Sequence, residues 1–92
     1  MKKIELKSDK TISSLAGNSY GRECFNKFVG KVDYDEMYEI VFPSHVLYIA
    51  TSFIQGFFDE FVKVDGVVGI QDKVKIESSI TNLKEVIIDA LL

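Results

Sequence analysis

Apolar and polar positions alternate at the start of the chain, where Ile4 and Leu6 stand between Lys3, Glu5 and Lys7. Successive strand side chains point to opposite sides, so this spacing predicts a strand with one solvated face. Ser8-Asp9-Lys10 marks a turn, and Thr11-Ile12-Ser13-Ser14 is too short to assign. From Asn18 or Ser19 the period lengthens to that of a helix. Tyr20, Cys24, Phe25, Phe28, Val29 and Val32 fall on one stripe, opposite Arg22, Glu23, Asn26, Lys27 and Lys31. Asn18 and Ser19 are suitable caps, since their side-chain oxygens can accept first-turn backbone N–H groups. Gly30 weakens this helix near its end, and Asp33-Tyr34-Asp35-Glu36 reads as a polar loop.

Tyr38-Glu39-Ile40-Val41-Phe42 is apolar on both faces except at Glu39, which marks the best-buried strand. Pro43 ends it, because proline has no N–H for a ladder. Val46 to Ile49 is a second apolar stretch, followed by Thr51-Ser52 as expected caps of the strongest helix. Phe53, Ile54, Phe57, Phe58, Phe61 and Val62 form its inward stripe. Asp65-Gly66 supplies a turn, and Val67 to Asp72 reads as a short helical turn. Lys73 to Glu77 alternates as an edge strand with its lysines outward. Ser79, Thr81 or Asn82 caps a last helix with Ile80, Leu83, Val86, Ile87, Ala90 and Leu91 inward; Asn82 and Glu85 have the spacing of a capping box.

The first and last strands each carry charge on one face. Helices on both faces would bury those charges at a cost of roughly 2–7 kcal/mol per unpaired polar group. The expected fold is therefore a small two-layer α/β domain of β-α-β-α-β-α order, with a mixed or parallel sheet and helices mainly on one face. No repeat or linker interrupts it, and one domain spans residues 1–92.

Charge narrows the function classes. Eleven basic and 14 acidic side chains give a net charge of −3. A mildly acidic surface argues against nucleic acid and against anionic membranes, both of which need clustered positive charge. Cys24 is the only cysteine, so neither an internal disulfide nor a Cys-based zinc site is available. The N-terminal Met1-Lys2-Lys3-Ile4-Glu5 becomes charged again before any signal-peptide core develops, so a cytoplasmic protein is expected.

The segment from Tyr38 to Phe53, with Pro43-Ser44-His45 between its strand and the apolar run Val46 to Ile49, resembles the signature of the STAS domains. That group is named for sulfate transporters and anti-sigma factor antagonists. The closer resemblance is to a STAS-like branch of uncharacterised function, carried by Ser52-Phe53 and by Gly56-Phe57-Phe58-Asp59-Glu60-Phe61. The downstream order of Gly66, Val74-Lys75-Ile76 and a closing helix agrees with it. The resemblance implies a non-enzymatic regulatory module, bacterial or from a phage, that binds another protein such as a histidine-kinase-like ATPase. It also makes Ser52 the position matching the phosphorylated serine of the anti-sigma antagonists. Ala50 stands where those proteins have an acid, Phe53 where they have glycine, and Asn18-Ser19-Tyr20-Gly21 where the branch often has Arg-x-x-Gly.

The remaining candidate chemistry is sparse. Ser52 or Thr51 is either a helix cap or a phospho-acceptor; a phosphate there would meet the positive end of the helix dipole. His45 as a general base needs a nucleophile and an orienting acid. Cys24 lies on an apolar stripe, where thiols act as small hydrophobes. The acids from Asp33 to Glu39 fit no calcium loop, and Gly17 and Gly21 fit no phosphate loop. No catalytic residue, metal or cofactor is expected. The expected contact surface runs from His45 through Tyr48 and Ala50 to Ser52, with Asn18, Tyr20 and Arg22 beside it. The alternative is a small scaffold or inhibitor, such as a phage or mobile-element factor, that binds a host complex or forms a homodimer without a phosphorylation switch.

Overall fold

Eight elements follow one another in the computed structural model, which describes residues 1–92: β1 (Lys2–Glu5), β2 (Ser14–Leu15), α1 (Asn18–Phe28), β3 (Tyr38–Val41), β4 (Tyr48–Ile49), α2 (Thr51–Lys73), β5 (Val74–Glu77) and α3 (Leu83–Leu91). β1, β3 and β5 form a parallel sheet with β3 in the middle, and β2 and β4 form a separate parallel pair. Both long crossovers step across the sheet in the same direction. With the usual right hand, such crossovers leave their helices on one face.

The register explains the charge pattern. Lys3, Glu39 and Lys75 share one row across the sheet, and Glu5, Val41 and Glu77 share another. Their flanking lysines and glutamates are exposed, while Glu39 and Val41 are half-buried on this open face. Ile4, Leu6, Tyr38, Ile40, Phe42 and Val74 point the other way and are buried. The two-layer α/β expectation therefore holds, and the sheet is wholly parallel. β3 is central as expected, but only one of its faces is covered.

A single core cluster of 20 buried apolar residues draws on all eight elements. Phe57 is its hub: its ring centroid lies 4.9–6.4 Å from those of Phe25, Phe42, Phe53, Phe58 and Phe61. These tilted, edge-on and offset arrangements suit the ring quadrupoles. The aromatic stripe of α2 is thus core. α1 packs against α2 so closely that a Cβ at Gly21 would collide with the Phe53 carbonyl oxygen, and one at Gly56 with the Asn18 carbonyl oxygen. The crossing is possible because neither residue has a side chain.

Several local expectations shift. α1 stops at Phe28, and Val32 reaches the core from the following loop. The turn expected at Asp65-Gly66 is present as a non-helical break, and the segment after it is helical as expected. α2 runs 23 residues through a break at Gly66 (φ 72°, ψ 169°). Ser14, at the end of the unassigned stretch, and Leu15 after it pair with Tyr48–Ile49. Val86 is exposed on α3, where Ile88 packs against the core in its place. No helix is long and apolar enough to cross a membrane.

Candidate functional site

The starts of α1 and α2 lie side by side, held by the glycine crossing and by one polar contact: the Gly17 N–H donates to Ser52 Oγ at 3.0 Å. Neither helix is capped as expected. Gly17 and Ala50 occupy the N-cap positions and no side chain bonds back to the first turn of either helix. A cap must sit just outside the helix in extended geometry. Ala50 holds that position in α2 (φ −74°, ψ 151°), and its methyl group offers no acceptor. Thr51 and Ser52 lie inside the helix, and Ser52 turns its oxygen across to Gly17. Asn18 and Ser19 likewise fall within α1. Asn82 does occupy the N-cap of α3, but in left-handed geometry (φ 58°, ψ 31°) without a side-chain bond.

Two uncapped helix starts without an acidic residue in either first turn present the positive ends of two dipoles at the surface. Asn18, Ser19, Thr51 and Ser52 are all exposed there. This arrangement can accept negative charge from a partner or a modification.

β4 leads into this mouth. The Leu47 and Tyr48 N–H groups both donate to the Ser13 carbonyl oxygen, at 2.7 and 3.2 Å. That contact sets Ile12-Ser13 alongside Leu47-Tyr48. Leu47 is 70% exposed and Tyr48 62%, and Ile12 is also exposed. Ile49, alternating with Tyr48, enters the core instead. The surface expected from His45 to Ser52 contains both Leu47 and Tyr48, but Ile12 was not foreseen. Its stretch, too short to assign, carried no signal.

The other expected contact residues spread outward. Tyr20 is half-buried, its ring 5.6 Å from that of Phe53. Burial, above all, raises the pKa of its hydroxyl and likewise that of the neighbouring Cys24 thiol, which keeps Cys24 in the unreactive protonated form. Arg22 pairs with Asp59 on the flank of α2 at 3.4 Å. Lys63, 3.1 Å away, is the main cause of an Asp59 carboxyl held below the usual carboxylate range, and Arg22 adds to it.

His45 lies apart from the mouth, its Nε2 3.1 Å from Ser8 Oγ. The hydroxyl a base would need is therefore present, a residue the sequence did not point to. The nearby carboxylate is occupied: Asp9 accepts the Thr11 N–H at 2.9 Å and the Thr11 hydroxyl at 2.8 Å, and these bonds lower its pKa. The Ser8–His45 contact ties the loop after β3 to the turn after β1. Ser79 secures the same loop from the other side by donating to the Ser44 carbonyl oxygen at 2.9 Å. Between these ties, at the carboxyl ends of the three parallel strands, lies an open crevice of about 420 Å³ with Leu6 and Phe42 among its lining residues and Glu5, Lys7 and Glu77 at its sides. Comparison with protein-family models, curated proteins and solved structures finds no match to this chain.

Proposed function

We propose that this chain is a non-enzymatic regulatory module of STAS-like type that acts in the cytoplasm by binding another protein around the start of α2. The observation that carries the reading is the exposure of Leu47 and Tyr48 beside two uncapped helix starts. Large apolar side chains held outward on a short strand are what a partner's contact buries, and tyrosine is a frequent anchor of such contacts. The two dipole ends favour a negatively charged group on the partner. The order of buried strand, loop, apolar run and Ser52-bearing helix supports the STAS-like part of the reading. A histidine-kinase-like ATPase, or another regulatory protein of a bacterium or phage, is the partner class it implies.

Phosphorylation of Ser52 is the switch in this reading. A phosphate would add about −1.5 to −2 charges where the partner docks and would repel an acidic surface. A second reading, a scaffold or inhibitor without a switch, is favoured by the bond from Gly17 to Ser52. In that case the hydroxyl serves to join two helix starts.

Calorimetry against the partner captured on the wild-type chain separates the two readings. Leu47→Glu abolishes binding in both, while Val68→Glu, on an exposed residue elsewhere on α2, leaves it intact. Ser52→Asp weakens binding and Ser52→Ala does not if the switch operates. Equal affinity of all three Ser52 forms leaves the scaffold, and full binding by Leu47→Glu overturns the surface itself.

A further inference from the structure

We propose that the outer edge of β5 docks against the β5 of a second copy of this chain, the two strands running antiparallel about a two-fold axis at Ile76. The contact involves neither the start of α2 nor Ser52, and so is independent of both readings of that surface. β5 lies at one side of the sheet and is bonded only to β3. The Phe42 N–H donates to the Glu77 carbonyl oxygen at 2.9 Å, so the main chain of Glu77 faces β3. Main-chain groups of successive strand residues face opposite sides. Ile76 therefore turns its N–H and its carbonyl outward, where neither meets a partner within the chain.

An open edge of this kind recruits another strand unless a covering element or charge prevents it. The charges on β5 are Lys75 and Glu77, both exposed on the open face of the sheet. Neither takes part in an ion pair. β1, at the other edge, repeats the order as Lys3-Ile4-Glu5. There the two charges satisfy each other, with Lys3 3.6 Å from Glu5. Only the β5 edge keeps both signs for a partner.

Charge then selects the register. With the axis at Ile76, Lys75 faces the partner's Glu77 and Glu77 faces the partner's Lys75, all on the open side of the sheet. Ile76 and the partner's Ile76 exchange both main-chain bonds, and their side chains meet on the helix side. Moving the axis by one residue sets Lys75 against the partner's Lys75, or Glu77 against the partner's Glu77. Like charges directly opposite are unfavourable. The Lys-x-Glu spacing is therefore complementary to itself, which fits a copy of this chain and gives the same patch on both sides of the contact.

Sedimentation of the full chain over a concentration series is expected to approach twice the 10.4 kDa of one chain. Lys75→Glu turns both matched pairs into like pairs and weakens association about tenfold or more. The double variant Lys75→Glu with Glu77→Lys restores it, because each new charge again meets its opposite. Lys3→Glu, on the other edge, leaves it unchanged. All three positions are exposed, so the variants keep the fold. Amide exchange at Ile76 slows as the concentration rises, while exchange at Lys3 does not. A monomer at every concentration, a dimer indifferent to Lys75→Glu, or a folded double variant that fails to associate overturns the proposal.

Discussion

The two halves of α2 are held to the molecule by different physics. Before Gly66, the helix is fixed by apolar packing: Phe53, Ile54, Phe57, Phe58 and Phe61 are buried, and the bare backbone at Gly56 meets Asn18. After Gly66, Ile70 alone enters the core, and a charged clasp adds to its hold. Lys73 reaches back to the fully buried side chain of Asp65 at 3.4 Å, to the Tyr34 carbonyl oxygen and to the Tyr34 ring. Asp65 Oδ2 has no hydrogen-bond partner, so the clasp satisfies only part of what it buries. The first half depends mainly on shape, with only the surface Asp59 pairs on its flank sensitive to salt and pH. The second depends also on a charge pair whose desolvation cost is large.

The largest test of this contrast is Gly56→Ala. Helix propensity alone predicts a gain of about 1 kcal/mol. The collision with Asn18 reverses the sign, to a loss of about 3 kcal/mol, read as a lower midpoint in urea unfolding. Lys73→Met comes next. It leaves the Asp65 carboxylate buried without its cation, and because Lys73 is 28% exposed the loss is about 1–3 kcal/mol rather than the upper end for a buried pair. Adding Asp65→Asn recovers part of that loss; strict additivity of the two changes in a double-mutant cycle would break the clasp interpretation.

Gly66→Ala is smaller. Nothing lies within 4 Å of a Cβ there, so its cost, about 1–2 kcal/mol, comes from backbone conformation alone. Calorimetric melting that finds no loss would show that the break relaxes into a continuous helix. The smallest effect is on pH dependence. The folded pKa values of Asp9 and Asp59 lie below the ordinary carboxylate value of 3.8. Their contribution is complete above that value and is lost as pH falls through the folded pKa. Asp59→Asn therefore flattens the acid limb of the melting temperature below about pH 4 and leaves neutral pH nearly unaffected. Raised salt weakens the Arg22 and Lys63 pairs with Asp59 but not the phenylalanine packing.

The candidate site was legible in part. The period of α2 and the position of Ser52 at its first turn can be read from the residues. The pairing of Ser52 with Gly17, 35 positions away, cannot be read, because it depends on how closely two helices cross. Gly21 and Gly56 carry no hydrophobic signal, so the contact that sets this distance is silent in any reading of apolar periodicity. Two-residue strands such as β2 and β4 are too short to show a period. The pairing that sets Ile12 beside Leu47 and Tyr48 was hidden for that reason. Lys73 was read as an outward strand lysine; the break at Gly66 turns it to Asp65.

Local rules therefore determined which segments are helical or extended, which faces are apolar and why the sheet must keep one face wet, since those follow from side-chain period and the cost of burying charge. Tertiary structure alone decided which backbones touch, where caps are replaced by contacts between helices, and which apolar side chains remain outside. Those outcomes depend on distances between segments far apart in the chain, and packing sets such distances only when the whole core closes at once.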